Sequence, residues 1–159
     1  HREFKSHPLR MRFEFSAGGV VFRQAQDFGS KPQFSKKKIE ILVCQHSQHH
    51  GWVFPKGLIG DHKKEEGEED TAIREVKEET GIEAKIIKPL TPVTYWYAFE
   101  NEKIKKTVYY FLMEYLSGDI SKHDKEMENV EWIKASEVDK KLTYSSDKKV
   151  WQQTKSLIK

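Results

Sequence analysis

Apolar and polar residues alternate in short bursts along most of this chain, which is the signature of strands more than of helices. Phe13 to Arg23 (FEFSAGGVVFR) reads as a first strand, its Gly18-Gly19 pair marking a place where the backbone needs freedom or another segment comes close. Gln24 to Lys38 is polar, holds Gly29 and Pro32, and reads as a surface excursion inserted before the next strand. Ile39 to Cys44 (IEILVC) is an apolar run of strand length, followed by a polar loop, Gln45 to Gly51. Ile82 to Leu90, closed by Pro89 and Pro92, predicts another strand. Val93 to Glu100 and Lys106 to Leu116 read as a strand pair joined by the polar turn Asn101 to Lys105. Ser117 to Met127 is a charged loop, Asn129 to Lys134 a short strand, and Ala135 to Leu142 a brief helical turn.

Two stretches have helical spacing instead. Ser145 to Ile158 sets Val150, Trp151, Thr154, Leu157 and Ile158 on one side. Glu68 to Thr80 crowds acidic residues into its first turn, where the helix dipole favours them, and has Gly81 just past its end. In that second helix Ala72, Ile73 and Val76 offer an apolar arc, while Glu75, Glu78 and Glu79 share the adjoining flank at i, i+3 and i+4. Strands around a central helix, closed by a terminal helix, predict the α/β (α+β) class with a mixed sheet packed between helices. Residues 1–12 are basic and unpatterned, and read as a flexible basic arm before a single domain spanning residues 13–159.

Composition narrows the function. Charged residues make up 33% and hydrophobic ones 36%, so the chain is polar but foldable. Its net charge of +3, from 28 Lys and Arg against 25 Asp and Glu, favours a polyanionic small molecule and is too mild to call for a stable nucleic-acid partner. One cysteine, Cys44, permits no internal disulfide and fits a reduced, cytoplasmic setting. No apolar stretch approaches the roughly 20 residues of a membrane span, and no signal-peptide pattern is read. A monomer or weak dimer with no membrane partner is expected.

The acidic flank carries the chemistry. Neighbouring carboxylates repel by a few tenths of a kcal/mol per exposed pair, and a hard divalent cation turns that liability into a site. The plain alternative is a solvated Glu/Lys helix face, and the surrounding spacing decides against it. Glu66 is followed after seven residues by Arg74-Glu75, then by Val76, Lys77, Glu78-Glu79, Thr80, Gly81 and Ile82, with Phe54-Pro55-Lys56-Gly57 upstream. This resembles the Nudix hydrolase box. Counted back from Glu66, Gly60 sits at the family's glycine spacing, whereas Gly57 is the glycine that follows Pro-Lys. We read a short insertion within Leu58 to Glu65, with Gly57 as the functional equivalent.

The resemblance implies a Nudix-type α-β-α sandwich and water attack on phosphorus, with magnesium, or manganese, as cofactor. It implies metal ligation by Glu75, Glu78, Glu79 and the Gly57 carbonyl, and a loop held in shape by Glu66 and Arg74. The chemistry of Arg74, beside so many carboxylates, argues for a bidentate clamp on Glu75 or Glu66. Glu126 and Glu128 are the general-base candidates outside the box. Relatives place a metal-proximal glutamate shortly before the aromatic of this strand, which favours Glu126 as base and as a further ligand.

Beyond the box, FSAGGVVF, YWYAFENEKIKKTVYYFLMEY and Leu142-Thr143-Tyr144 are similar to the bis(5′-nucleosyl)-tetraphosphate hydrolase branch. That implies a nucleoside polyphosphate substrate, diadenosine tetraphosphate, cut to ATP and AMP. Aromatic faces stack on adenine at about 1–3 kcal/mol per base, so Tyr97 and Tyr144 are the stacking candidates, with Tyr95 behind them. Taken alone, each tyrosine reads as sheet packing. Lys56 and Lys106 suit the polyphosphate, and His50, just before Gly51-Trp52, is placed to reach a phosphate. A zinc site among His46, His49 and His50 is disfavoured, because no cysteine or carboxylate sits there at ligand spacing. The alternatives are ADP-ribose, a nucleoside triphosphate, an RNA 5′ end or a diphosphoinositol polyphosphate. The His- and Lys-rich stretches Lys31 to Lys38 and Gln45 to Lys64 suit such highly charged ligands. A non-catalytic nucleotide sensor is disfavoured by the intact set of box glutamates.

Overall fold

Two strands of 17 residues each, β1 (Arg10–Gln26) and β7 (Glu102–Gly118), run parallel and in unbroken register from Arg10 to Phe22, and the rest of the sheet hangs on them. The computed structural model describes residues 10–26, 37–60 and 65–158. β2 (Lys37–His46) lies antiparallel on the second half of β1, and carries β3 (Trp52–Val53) and β8 (Met127–Lys134) in turn. β4 (Lys56–Leu58) pairs with Ser16 to Gly18 of β1. On the far side of β7, β5 (Ile82–Pro89) and β6 (Val93–Phe99) follow one another along its length, completing an eight-stranded mixed sheet.

Alternation along the strands sends side chains to opposite faces, and each face has its own helix. α1 (Glu68–Thr80) buries Ala72 and Val76 against Ala17, Val21, Leu42 and Met113. On the other face α2 (Val138–Lys141) and α3 (Ser145–Lys155) bury Val138, Val150 and Trp151 with Val20, Ile41, Phe54 and Tyr110. The layering is the expected mixed sheet between helices. α1 stops where Gly81 takes a left-handed φ of 79° and its N–H returns to the Lys77 carbonyl.

The Gly18-Gly19 pair positions the site. A β-carbon on Gly18 would lie 2.2 Å from the Pro55 carbonyl oxygen, and one on Gly19 would lie 2.6 Å from the Met113 sulfur. Gly19 N–H donates to that same Pro55 carbonyl. The Phe54 to Gly57 turn can therefore lie directly on the central strand.

Several boundaries differ from the sequence reading. β1 starts at Arg10, so residues 10–12 belong to the sheet and not to the arm, whose residues 1–9 lie outside the described residues. β1 and β2 also extend into the polar excursion at both ends, with 27–36 undescribed. The predicted turn Asn101 to Lys105 shrinks to Glu100-Asn101, both at positive φ (46° and 62°), because the lysines after it stand on strand β7. β3 and β4 were not anticipated; two and three residues are too short to show a period. Ile73 is exposed, and Glu75 and Glu79 take the buried arc expected for it. Leu157 is exposed too, because α3 ends at Lys155, while Ile158 packs on the core from beyond the helix. Within the 58–65 insertion, residues 61–64 lie outside the described residues. No helix among the described residues is long and apolar enough to cross a membrane.

Candidate active site

The buried side of α1 carries two glutamates among its apolar residues: Glu75 is 6% exposed and Glu79 4%. Both meet the turn laid on β1. Lys56 N–H donates to Glu79 Oε2 at 3.0 Å, and a β-carbon on Gly57 would fall 2.0 Å from the carboxyl carbon of Glu75. Only glycine leaves the Glu75 carboxylate its place.

Arg74 ties the remaining carboxylates together. Its Nη2 donates to Glu66 Oε1 at 2.8 Å and its Nε to Glu66 Oε2 at 2.9 Å, while its Nη1 reaches Glu75 Oε1 at 2.8 Å and Glu78 Oε2 at 3.1 Å. Thr71 Oγ1 adds a further hydrogen bond to Glu66. The Glu66 hydrogen bonds outweigh burial and hold the Arg74 guanidinium above its ordinary pKa.

The electrostatics mark Glu75 and Glu79 as costly. Burial pushes the Glu75 carboxyl up, Arg74 pulls it partly back, and Glu78 and Glu126 push it up again. Glu79 is raised well above the usual carboxylate range by burial and by the charges of Glu75 and Glu126, against the opposing pull of Lys56. Among the described residues no three His, Cys, Asp or Glu side chains already converge as a metal site. The hydrogen bonds explain this, since Arg74 draws Glu75 and Glu78 aside and the Lys56 amide holds Glu79. The donor set nonetheless suits a hard divalent cation: oxygen ligands only, mutually repelling, with two of them desolvated.

A cleft of two adjoining lobes opens over this helix. The narrower, of about 260 Å³, is lined by Glu79, Glu126, Lys56, Lys106, His46 and His49 among others. The wider, of about 520 Å³, shares Lys56, Lys106, His49 and Tyr95 with it and adds Tyr97 and Tyr144. Of the predicted catalytic residues, Glu79 and Glu126 line the cleft, while Glu75, Glu78 and Arg74 line neither lobe and are hydrogen-bonded together through Arg74. Burial works against the Lys56 ammonium, yet Asp147, Tyr95 and Glu79 outweigh it and its pKa ends above the ordinary lysine value. Lys106 moves the other way, lowered by burial and by Lys56 against Glu14 and Glu79. The Tyr97 hydroxyl donates to the Glu14 carboxylate, and burial together with that bond pushes the phenol up.

His50 lies apart from this cleft. It adopts a left-handed φ of 60°, its Nδ1 lies 2.6 Å from Glu128 Oε1, and it lines neither lobe. That pair also occupies Glu128, the second general-base candidate. His49 lines both lobes of the cleft, and His46 the narrower one. The His49 Nδ1 accepts from Gly51 N–H at 3.0 Å and from the Tyr144 hydroxyl at 2.9 Å, so a neutral ring carries its proton on Nε2. Burial and the stacked ring of His46, 4.4 Å away, lower the pKa of His49. Sequence reasoning also passed over Asp147, 2% exposed, whose Oδ1 accepts from Phe54 N–H and the Tyr110 hydroxyl at 3.3 Å each. Its signal was present: an acid on the core side of an amphipathic helix needs partners.

Residues 33–153 match the family model of the NUDIX domain. The chain belongs to the Nudix family. Among Nudix relatives, it is 36% identical over 150 residues to a Mycobacterium tuberculosis protein named mutator protein MutT4, covering 94% of this chain and 58% of that one. The chain thus spans a little over half the length of that relative. It is 34% identical over 108 residues to the asymmetrical bis(5′-nucleosyl)-tetraphosphatase of Rattus norvegicus, covering 66% of this chain and 67% of the relative. The C. elegans Ap4A hydrolase in a binary complex superposes with a TM-score of 0.61 at 25% identity, covering 91% of this chain and 97% of that one. Nudix hydrolases generally use divalent metal ions, in line with the all-oxygen donor set here.

Proposed function

We propose that this Nudix chain is a metal-dependent pyrophosphohydrolase acting on a nucleoside polyphosphate, with diadenosine tetraphosphate, cut to ATP and AMP, as the favoured substrate. One observation carries the reading: Lys56 stands in both lobes of a single cleft, between the carboxylates Glu79 and Glu126 and the tyrosines Tyr95, Tyr97 and Tyr144. A phosphate chain and a base need these two surfaces side by side.

In this reading Glu75, Glu78, Glu79, Glu126 and the Gly57 carbonyl would hold magnesium or manganese. When bound, such an ion lowers the pKa of water and neutralises charge on the phosphates. Lys56, kept protonated by Asp147 and Glu79, pairs with phosphate oxygens, and Lys106 supports it. His49 donates from Nε2 to a further phosphate oxygen, in the role the sequence reading gave to His50. Tyr144 and Tyr97 sandwich a base, each fixed by its hydroxyl, to His49 and to Glu14 respectively. Glu126 takes the proton from the attacking water. Arg74 stays out of contact with substrate, holding Glu66, Glu75 and Glu78.

The test is product analysis with diadenosine tetraphosphate, with magnesium, with manganese and with chelator, in ¹⁸O-labelled water. ATP and AMP with label in one product support the reading; absence of metal-stimulated turnover sinks it. A Mycolicibacterium smegmatis relative named 8-oxo-(d)GTP phosphatase, 30% identical over 137 residues that cover 85% of this chain and 39% of that one, favours a second substrate, a nucleoside triphosphate, which gives a nucleoside monophosphate and pyrophosphate in the same assay.

A further inference from the structure

β1 and β7 outrun the helix that covers them. α1 packs over Ala17, Val21, Phe111 and Met113. The same side of the strands continues outward as Met11, Phe13 and Phe15 on β1 and as Lys103, Lys105, Thr107 and Tyr109 on β7, with no shift of register. β6 adds Trp96 opposite Lys105. Met11 is 61% exposed and Phe13 58%, with Phe15 and Trp96 close to half. Single exposed apolar side chains are ordinary, but three at i, i+2 and i+4 on one strand are an interaction surface in waiting. Among the described residues, the outer edge of β1 from Arg10 to Glu14 also pairs with no strand, since pairing with β4 begins at Ser16 and pairing with β2 at Phe22.

The charges at the two ends of this face differ in sign. At the outer end the ammonium groups of Lys103 and Lys105 lie 4.9 and 5.7 Å from the centre of the Trp96 ring. At the inner end a groove joins Phe15 and Tyr109 to the first turn of α1, where Glu68, Glu69 and Asp70 are all exposed. A single-stranded nucleic acid would find rings to stack on, but also three carboxylates against two lysines. A face with a basic end, an apolar middle and an acidic end is complementary to itself after a half-turn. The spacing suits such a half-turn: Lys103 to Tyr109 spans about 20 Å of strand, with Phe13 and Phe15 between the ends.

We infer that this face is the interface for a second copy of the chain. In the isologous pair Phe13 and Phe15 of both protomers pack at the centre, and Lys103 and Lys105 of each face Glu68, Glu69 and Asp70 of its partner. Trp96 also lines the wider lobe, whereas Phe13, Lys103, Lys105, Glu68 and Glu69, the residues that the test changes, line neither lobe of the cleft.

Sedimentation velocity over a range of protein concentration and salt tests it, with circular dichroism to verify folding of each variant. The wild-type chain should show a reversible monomer–dimer equilibrium that added salt shifts toward monomer. Phe13→Asp, the pair Lys103→Glu/Lys105→Glu, and the pair Glu68→Lys/Glu69→Lys should each weaken self-association by at least about tenfold. The two charge-reversed proteins, mixed, should dimerise with each other, a rescue that damage to the fold would not produce. A wild-type chain that stays monomeric throughout overturns the inference, as does a mixture that fails to associate. Fluorescence anisotropy with labelled oligouridylate adds the competing outcome. Tight binding by a monomeric wild type, lost in Phe13→Asp, would hand the face to nucleic acid and overturn the pairing.

Discussion

Gly57 and Glu75 compete for one volume: a β-carbon on the glycine would sit 2.0 Å from the carboxyl carbon of the glutamate. Gly57→Ala must therefore push Glu75 off the turn or lift the turn off β1. A displacement of about 1 Å at a catalytic constellation costs on the order of 100-fold in rate. Steady-state kinetics with magnesium should show a fall of that size in kcat, while circular dichroism shows the fold retained.

Glu79 sets function against stability. Its carboxyl is raised by burial first, so the folded state holds the proton more tightly than the unfolded chain does. The stability this confers is complete below the ordinary glutamate value of 4.5 and is lost as pH rises toward the raised folded pKa. Glu79→Gln has no charge to bury. In chelator at neutral pH its Tm should exceed that of the wild type, and the difference should shrink on acidification toward pH 4.5. Its turnover should fall by more than the roughly 10–100-fold typical of a residue one shell away from a metal. A Tm unchanged or lowered at neutral pH would remove the argument.

Arg74→Lys keeps the charge and loses the fork. Three carboxylates share that guanidinium, two of them through hydrogen bonds of 2.8 Å, and an ammonium cannot satisfy Glu66 and Glu75 together. The expected loss is on the order of 1–3 kcal/mol in urea unfolding, with activity lowered through kcat.

His49 and His50 should separate cleanly. His49→Ala removes a ring that lines both lobes and accepts the Tyr144 hydroxyl, and it should raise KM for a dinucleotide polyphosphate. His50→Ala breaks only an exposed pair with Glu128 and should leave KM within about twofold. Tyr144→Ala should raise KM by roughly 5- to 150-fold, the equivalent of about 1–3 kcal/mol of stacking. Tyr144→Phe should show a smaller rise, through His49 alone.

The helix and its carboxylates were legible because a repeating 3.6-residue period and a terminal glycine leave little freedom in where α1 starts and stops. Which glutamates would be buried was not. Ile73 and Glu79 exchange the places that hydropathy assigns them, because the turn on β1 brings an amide and a glycine gap to one side of the helix, a long-range fact. The lengths of β1 and β7 were underestimated for a related reason. A strand exposed on one side, carrying Lys103 and Lys105, reads locally as a loop until its partner strand is known. Which of the adjacent His49 and His50 lines the cleft was not legible either, since His50 takes a left-handed φ of 60° and pairs with Glu128 from a distant part of the chain.

Cys44, the sole thiol of the chain, lies wholly buried on β2, its Sγ 3.5 Å from the Val53 carbonyl and its backbone between Val53 and Val130. Burial also pushes its pKa well up, so the reactive thiolate is scarce while the sheet is closed. Its side chain lies in the core layer that α1 covers with Ala72 and Val76, so a thiol reagent can reach it only when that layer opens. The rate of labelling is therefore a built-in clock for the lifting of the glutamate-bearing helix from the sheet, readable without adding a probe.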